Sequence, residues 1–255
     1  MTAIQVERLV KDFPSTKGNF VPLRVLDNVS FGVGDGEFVA LFGPNGCGKT
    51  TLLNILAGIE VPTAGRICIG GKPPGGAKIG YVFQNVNESM LPWRTAAGNI
   101  EFALEIQGME KKQRKRLGED LLKLGGMDGA GERYFFQLSS GMKQLIAILR
   151  AVAYDPDVLV MDEPFASLDY ATMRKMETVL LKIWAQSKKT VLFVSHDIDE
   201  AVFLADRIVV LSRRPAVVKG VVPVQLPRPR AREMMNSETF LGVRKKVMEM
   251  FDYEP

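Results

Sequence analysis

Near its start the chain contains Gly43-Pro44-Asn45-Gly46-Cys47-Gly48-Lys49-Thr50, a segment with the pattern G-x-x-x-x-G-K-T. An apolar run, residues 38–42, precedes the segment, and a run with helical character, residues 51–57, follows it. The pattern therefore lies between a predicted buried strand and a predicted helix, which is the context that this motif requires. A glycine-rich turn without a ligand is the alternative interpretation.

The chemistry of this segment suits a phosphate group. Glycines let the backbone turn sharply and approach a ligand closely, and successive amides cradle phosphate oxygens. The positive end of the following helix faces the same anion. Lys49 is expected to reach the β- and γ-phosphates, and the Thr50 hydroxyl to ligate Mg²⁺. The candidate nucleotide-binding residues are Gly43, Pro44, Asn45, Gly46, Cys47, Gly48, Lys49, Thr50 and Thr51.

Composition narrows the class of protein. With 255 residues, the chain can form one large domain or two small ones. Apolar residues make up 46% of the chain, enough for a core, and the charged fraction of 24% is ordinary for a soluble globular protein. A net charge of +4 does not by itself indicate nucleic acid, and no nucleic-acid partner is expected.

Cysteine usage and apolar runs bear on the compartment. Cys47 and Cys68 have no ligand-like spacing, so neither a disulfide framework nor a zinc site is expected, and a reducing compartment fits best. The first residues lack the basic start and apolar core of a signal peptide. No apolar run approaches the ~20 residues that span a bilayer. Work at a membrane would then require another chain to hold this one.

The order of the predicted elements indicates an α/β fold. Strands expected at 38–42, 78–83, 157–162, 191–194 and 208–211 alternate with helices, which implies a parallel sheet covered on both faces. Residues 4–10 are predicted to form an edge strand, and residues 23–34 a second short strand of an antiparallel patch. Residues 85–149 have a helical pattern. Phe240, Val243, Val247 and Phe251 predict a final amphipathic helix.

Further motifs follow the phosphate segment. Asp162-Glu163 ends an apolar strand, where one acid can hold Mg²⁺ and the other can polarise a water; an acidic loop is the alternative. Residues 138–144 precede an amphipathic helix, which Ser139 or Ser140 can cap. Ser167-Leu168-Asp169 comes next, and His196, the only histidine, follows a predicted strand.

With these motifs in this order, the chain resembles the ATP-binding subunit of an ABC transporter, from Phe13 to about Arg230. The resemblance implies an α/β P-loop NTPase fold: a RecA-like parallel sheet core with an antiparallel β patch and an inserted α-helical signature subdomain. It implies a single ABC ATPase domain over 1–255. Within it, 1–84 and 156–225 would form the nucleotide-binding core, 85–155 the helical subdomain, and 226–255 a C-terminal tail and helix.

The resemblance also implies roles for single residues. Glu163 corresponds to the catalytic base, and His196 to the switch histidine that contacts the γ-phosphate. Thr50, Gln84 and Asp162 correspond to the Mg²⁺ contacts, and Gln84 also to the residue that senses the membrane partner. Phe13 resembles the aromatic residue that stacks on adenine, with Phe20 as a rival because the loop between them is long.

Two segments resemble those that act across a dimer. Ser139, Ser140, Gly141 and Met142 correspond to the signature motif, which contacts the γ-phosphate bound by the other subunit, and Ser167, Leu168 and Asp169 correspond to the D-loop. The chain departs from the family pattern at three positions: Ser140 replaces a usual Gly, Met142 a common Gln, and Leu145 a usual Arg. A side chain at position 140 must fit close to the nucleotide, and activity is expected to survive because Ser139, Gly141, Glu163 and His196 remain.

The resemblance implies partners and a location as well. A homodimer would hold two Mg-ATP and drive two transmembrane permease subunits, supplied indirectly by an extracytoplasmic substrate-binding protein, at the cytoplasmic face of the inner membrane. Residues 91–95, 195–201 and 211–215 resemble importers of nitrate, sulfonate and taurine. Trp93 is expected either to line the cleft for the membrane subunit or to be a half-buried structural aromatic residue.

Alternatives remain for the class, for Cys47 and for one helix. One alternative is a non-transport ABC ATPase, which usually shows two cassettes, zinc cysteines or a coiled-coil arm, and none of these features is found in the sequence. Another is a small-molecule kinase, which would lack the motif that this chain has at residues 138–142.

Cys47 is either a reactive thiol, activated by the helix N-terminus and protected by ATP, or a buried inert one. The basic run at 111–116 either touches phosphate or lipid headgroups or is a solvated helix face.

Overall fold

The computed structural model describes residues 2–14 and 22–252. The strands are β1 (Thr2–Phe13), β2 (Leu23–Gly34), β3 (Phe38–Phe42), β4 (Ala64–Ile69), β5 (Ile79–Val82), β6 (Val158–Asp162), β7 (Thr190–Ser195), β8 (Arg207–Leu211) and β9 (Val218–Pro223). The helices are α1 (Lys49–Leu56), α2 (Val86–Ser89), α3 (Ala96–Ile106), α4 (Lys111–Leu124), α5 (Ser140–Ala153), α6 (Tyr170–Ser187), α7 (Ile198–Leu204) and α8 (Glu238–Asp252). Short 3₁₀ helices occur at Phe135–Gln137 and Arg232–Asn236.

The chain forms two compact units, Met1–Ala77 with Thr190–Pro255, and Lys78–Lys189. The first unit contains a three-stranded antiparallel sheet in the order β2-β1-β4. The antiparallel patch is therefore confirmed, but the prediction that residues 4–10 form an edge strand is wrong. β1 is the central strand, because it also pairs with β4, a strand that the sequence pattern did not indicate.

The first unit also contains the strands that carry the phosphate segment. β3 lies between β7 and β8 and is parallel to both, and β9 pairs antiparallel with β8. Every residue of β3 and β7 is buried, as expected for central strands covered on both faces. Phe42 pairs with Ser195, so the segment after β3 and the histidine after β7 leave the same end of neighbouring parallel strands. Such carboxyl ends are the usual ligand site of open α/β sheets.

The second unit combines two parallel strands with most of the helices. β5 pairs with β6 from Ile79 opposite Val158 to Val82 opposite Met161. The parallel pairs in both units confirm the α/β class. The predicted helical subdomain, 85–155, lies within this unit, and its exact bounds stay a prediction.

The exposure of side chains bears on two alternatives that the sequence leaves open, one for Trp93 and one for the basic run at 111–116. Trp93 has a relative exposure of 70%, so the interpretation as a half-buried structural aromatic residue is wrong. The run at 111–116 starts α4 and is mostly exposed, which fits a solvated helix face. Among residues 2–14 and 22–252, no helix combines the length and the apolar character needed to cross a membrane.

Candidate functional site

The phosphate segment wraps around the side chain of Lys49. This lysine has a relative exposure of only 5%. Its ammonium donates hydrogen bonds to the carbonyls of Gly43 at 2.9 Å and Pro44 at 3.0 Å. Buried charges need such partners, so the loop itself holds the cation in place. A phosphate oxygen that enters the loop finds this positive charge already positioned.

Two glycines of this loop pack closely against other residues of their own unit. Gly48 has φ 120°, and a Cβ built on it would lie 2.7 Å from Cγ1 of Val25. A Cβ on Gly43 would lie 3.1 Å from Cβ of Leu211. A side chain at Gly48 would be both strained and crowded, which explains why the pattern needs glycine there.

The first turn of α1 is open to an anion. Its N-cap, Gly48, offers no side-chain hydrogen bond, and the first turn contains no acidic residue. The N–H groups that begin a helix lack partners within the helix and carry partial positive charge. Asn45, Gly46 and Thr50 are exposed beside them, with Thr51 half-buried in the next position. These residues fit a phosphate group, as the sequence predicts.

Cys47 is a buried thiol within the same loop. Its relative exposure is 1%, and burial raises the pKa of the thiol, although the Lys49 ammonium opposes that effect. At a given pH the thiolate fraction is thus smaller than for an ordinary cysteine. The structure favours the inert interpretation of Cys47 over the reactive one.

Phe13, the candidate adenine-stacking residue, ends β1 and is half-buried. The Lys11 ammonium lies 4.6 Å from the centre of its ring and also pairs with Glu60 at 2.9 Å. One aromatic face of Phe13 thus already contacts a cation. The rival Phe20 lies outside the described residues, so the role of Phe13 stays a prediction.

His196 is an exposed residue in a tightly bonded turn after β7. The Asp197 amide donates to the Ser195 hydroxyl at 2.9 Å. Asp197 also caps α7, because its Oδ1 accepts from the Asp199 amide at 2.8 Å. The Ser195 hydroxyl contacts the Glu200 carboxylate. Sequence reasoning missed these supports, although an aspartate one residue before a helical run is a recognisable cap.

In the second unit, Gln84, Asp162 and Glu163 come together at one end of β5 and β6. Asp162 is buried at the end of β6. Glu163 follows with a left-handed φ of 45° and accepts a hydrogen bond from Nε2 of Gln84 at 3.2 Å. Backbone strain of this kind concentrates at functional sites. Gln84 and the Asp162-Glu163 pair, predicted from two separate motifs, thus lie at the same edge because parallel strands end there.

Tyr81 is a neighbour of this cluster that the sequence did not single out. Its pKa is raised, first by burial and then by the negative charge of Asp162. Its ring stacks on Phe83 with 4.3 Å between ring centroids. The phenol thus stays protonated beside the acid across the ordinary pH range. No sequence motif marks this role, since it depends on the register between two strands.

The signature segment begins α5. Ser139 is the N-cap, and its hydroxyl accepts from the Met142 amide at 3.3 Å. Ser139 and Ser140 are both exposed, so the serine that replaces the usual glycine meets no crowding within its unit. A Cβ on Gly141, in contrast, would lie 2.6 Å from Cγ2 of Thr172.

The D-loop candidate leads into the helix that Gly141 packs against. Asp169 caps α6 by accepting from the Thr172 amide at 3.0 Å, and the hydrogen bonds from Thr172 lower the pKa of its carboxyl. Ser167 is exposed and Leu168 is half-buried. Thr172 therefore connects the end of the Ser167–Asp169 segment to the signature glycine, a contact between two motifs that are distant in sequence.

The structure thus groups the predicted residues in two sets. The phosphate segment and His196 belong to the first unit, and Gln84, Asp162, Glu163, the signature and the D-loop candidates belong to the second. A phosphate loop after a buried parallel strand, together with an acidic strand end, defines the class of P-loop nucleoside triphosphatases.

Comparison with known proteins gives the particular family. A model of the ABC transporter family matches residues 26–166. An uncharacterised ABC transporter ATP-binding protein of Methanocaldococcus jannaschii is 44% identical over 98% of this chain and 92% of its own. This chain belongs to the ABC transporter family, and it is an ABC-type ATPase, which confirms the class predicted from the sequence.

Two further relatives carry names of importers. The aliphatic sulfonates import ATP-binding protein SsuB of Bacillus cereus is 39% identical over 98% of this chain and 96% of its own length. The taurine import ATP-binding protein TauB of Escherichia coli O157:H7 is 41% identical over 88% of this chain and 90% of its own. Both agree with the importer group that the sequence resembles.

A solved structure has the same fold. It is a dimeric ATP-binding cassette in a post-hydrolysis state, bound to ADP and phosphate. It aligns with a TM-score of 0.75 and 28% identity, over 88% of this chain and all of its own. The P-loop NTPase fold class predicted from the sequence is thereby confirmed.

Proposed function

We propose that this protein hydrolyses Mg-ATP as a head-to-tail homodimer and thereby drives import of a small solute through two separate permease subunits. Its place would be the cytoplasmic face of the inner membrane, where the permease subunits hold it and a substrate-binding protein delivers the solute. The observation that carries the proposal is the exposed start of α5. It presents two exposed serines and a helix N-terminus whose first turn contains no acidic residue.

The cargo follows from the relatives. The names of SsuB and TauB specify aliphatic sulfonates and taurine, and taurine is itself a sulfonate. A sulfonate, or a related small anion such as nitrate, is therefore the solute that we infer. Because the ATP-binding subunit acts on ATP, the inferred solute rests on the similarity to these relatives and not on a solute-binding pocket in this chain.

Binding of the triphosphate falls to the first unit. The amides that open α1 and the Lys49 ammonium neutralise the β- and γ-phosphates. His196, exposed at the neighbouring strand end, is assigned to the γ-phosphate. Phe13 is assigned to the adenine ring. Since the Lys49 ammonium is already held by the Gly43 and Pro44 carbonyls, little reorganisation of this cation opposes binding.

Mg²⁺ is assigned to oxygen donors of the chain. The Thr50 hydroxyl, the Asp162 carboxylate and the Gln84 amide oxygen fit a hard cation that keeps phosphate and water among its ligands. Because the Gln84 nitrogen donates to Glu163, its oxygen is turned away from that acid. In the part of the chain that the structure describes there is no group of three or more His, Cys, Asp or Glu side chains that could hold a metal ion. When bound, the ion would offset the negative charge of the phosphates.

Glu163 is assigned to the chemical step. Its carboxylate takes a proton from a water while that water's oxygen bonds to the γ-phosphorus and the bond to the bridging oxygen breaks, leaving ADP and phosphate. The hydrogen bond from Gln84 fixes the orientation of this carboxylate. Gln84 can in this way transmit a change from the membrane partner to the base.

The signature segment supplies the reason for a dimer. Ser139, Ser140, Gly141 and Met142 would offer a hydroxyl and helix amides to the γ-phosphate held by the other copy. Two identical chains in opposite orientation would bury two ATP molecules in one symmetric interface. Loss of the γ-phosphate removes the bridge, and the copies part, which moves the permease. The similar cassette bound to ADP and phosphate is a dimer, which supports dimerisation.

The test uses Glu163→Gln, which keeps the shape of the side chain and removes the base. Turnover is expected to fall about a hundredfold or more, while ATP binding persists. Gel filtration with ATP and Mg²⁺ should then show a stable dimer, and the same variant with ADP should elute as a monomer. A monomer at every protein and ATP concentration would contradict the proposal. Uptake of labelled taurine or nitrate by cells with the intact transporter tests the cargo separately.

A further inference from the structure

The helix after His196 is held at both ends by the last part of the chain. α7 begins two residues after the histidine. The C-terminal segment, residues 228–251, contacts each end of α7 through charged side chains. It includes α8, which packs on α7, β8 and β9. The contacts at the two ends of α7 differ in kind.

At the carboxyl end of α7, arginines replace a conventional cap. Arg228 donates from Nη2 to the carbonyl of Leu204 at 2.7 Å, and Arg230 donates from Nη2 to the carbonyl of Ala205 at 2.7 Å. Burial lowers the pKa of Arg230 to about 10, so the group remains charged at neutral pH. Cations at this end complement the helix dipole and satisfy its last carbonyls.

At the amino end, one ion pair leads to the histidine. Arg244 Nε lies 3.2 Å from Oδ1 of Asp199. The Asp199 amide donates to Oδ1 of Asp197 at 2.8 Å, and the Asp197 amide donates to the Ser195 hydroxyl at 2.9 Å. Three consecutive contacts thus run from α8 to the residues on both sides of His196.

The same helix also contacts the strand that leads to the phosphate segment. The ring of Phe251 packs against that of Phe42, with 5.3 Å between ring centroids and an angle of 51°. Phe42 is the last residue of β3 and directly precedes Gly43. α8 therefore contacts the strand end before the loop as well as the first turn of the helix after His196.

We propose that the C-terminal segment positions the catalytic groups of the first unit, and that Arg244, acting through Asp199, is the positioning residue for His196. This rests on the role proposed above for His196. The side chains of Arg244 and Asp199 are 49% and 30% exposed, so the pair adds little to stability. Its effect is on geometry, because small misplacements of a catalytic group slow a reaction strongly.

The experiment reverses the charge of Arg244 in the full chain. Arg244→Glu places two acids side by side and is expected to lower kcat about three- to tenfold, with the Kd for ATP changed less than about twofold. Lys245→Glu is the matched control, since Lys245 lies on the same helix and pairs with the exposed Glu249, at 3.9 Å. Thermal unfolding of both variants should be alike. The combined exchange Asp199→Arg with Arg244→Glu should restore at least half of kcat.

The inference would be overturned by an unchanged kcat in Arg244→Glu, by an equal loss in Lys245→Glu, or by no recovery in the combined exchange. His196→Ala separates this failure from that of the proposed function. If His196→Ala lowers turnover strongly and Arg244→Glu does not, only the positioning role fails. If His196→Ala turns over normally, the role proposed for the histidine fails first. In the His196→Ala background, Arg244→Glu should cause no further loss, and a full multiplicative loss would show that the pair does not act through the histidine.

Discussion

The helix start at Lys49 and the helix start at Ser140 invite comparison, since both lack acidic residues in the first turn. At α1 the cap is a glycine with no side chain, and a buried ammonium lies inside the preceding loop. At α5 the cap is Ser139, whose hydroxyl satisfies the Met142 amide, and the serines are exposed. The start of α1 thus has its positive charge held within its own loop, whereas the start of α5 exposes its serine hydroxyls to solvent.

The difference shows how similar local structures can serve one ligand in two ways. A phosphate needs a positive charge and several donors at close range. The loop before α1 has both, because its backbone folds around Lys49. The start of α5 has an exposed hydroxyl and helix amides, so it suits a ligand already bound elsewhere. This difference supports the proposal that the signature residues contact the ATP bound by a second copy of the chain.

The largest effect is expected from a substitution that forces the backbone of the loop before α1 to move. Gly48→Ala places a Cβ 2.7 Å from Val25 at φ 120°, so the loop must shift and turnover should fall about a hundredfold. Gly46→Ala is the matched control: its φ is 74°, and a Cβ there meets nothing within 4 Å. ATPase rates and ATP affinity measure both variants. Equal losses in the two would show that crowding against Val25 is not what sets the loop.

An intermediate effect is expected at the start of α5, where a substitution can separate helix capping from contact with the ATP of the other copy. Ser139→Ala should cost about 1 kcal/mol of stability through the lost cap, and it should also weaken the ATP-dependent dimer about tenfold. Thr95→Ala is the control, because Thr95 caps α3 by accepting from the Gly98 amide at 3.1 Å. Both are compared in the Glu163→Gln background by thermal unfolding and gel filtration. A dimer equally weakened in both would assign Ser139 to folding alone.

The smallest expected effect concerns the thiol inside the loop. Burial raises the pKa of Cys47, so its thiolate fraction stays low until the pH rises past the ordinary range for cysteine. In native protein at pH 8, a thiol reagent should modify the half-buried Cys68 and leave Cys47 until the chain unfolds. Mass spectrometry of each cysteine decides the matter. Rapid modification of Cys47 that ATP prevents would instead revive the reactive interpretation.

Several elements were predictable because their signal is local. The strand 38–42 is a continuous apolar run before a glycine-rich pattern, and it is buried at every position. The last helix follows its apolar spacing and forms at Glu238–Asp252. Asp162 ends an apolar strand and Glu163 follows it directly. Each of these depends on neighbours within a few residues, which the sequence displays directly.

Other features depend on contacts between distant residues. The alternation in residues 4–10 predicted a strand, but its central position required β4, a partner some sixty residues away. No local signal in the sequence indicates the crowding of Gly141 against Thr172, the burial of Cys47 or the exposure of Trp93. The ion pair between Arg244 and Asp199 joins two helices that look unrelated in sequence.

By itself, the sequence determined the phosphate segment, the alternation of strands and helices around it and the family to which the chain belongs, because backbone freedom, apolar periodicity and motif spacing are local properties. Only the tertiary structure decided which groups meet: Gln84 with Glu163, Gly141 with Thr172, and the C-terminal segment with the helix after His196. Such meetings depend on strand register and helix packing, which bring together residues that no sequence spacing connects.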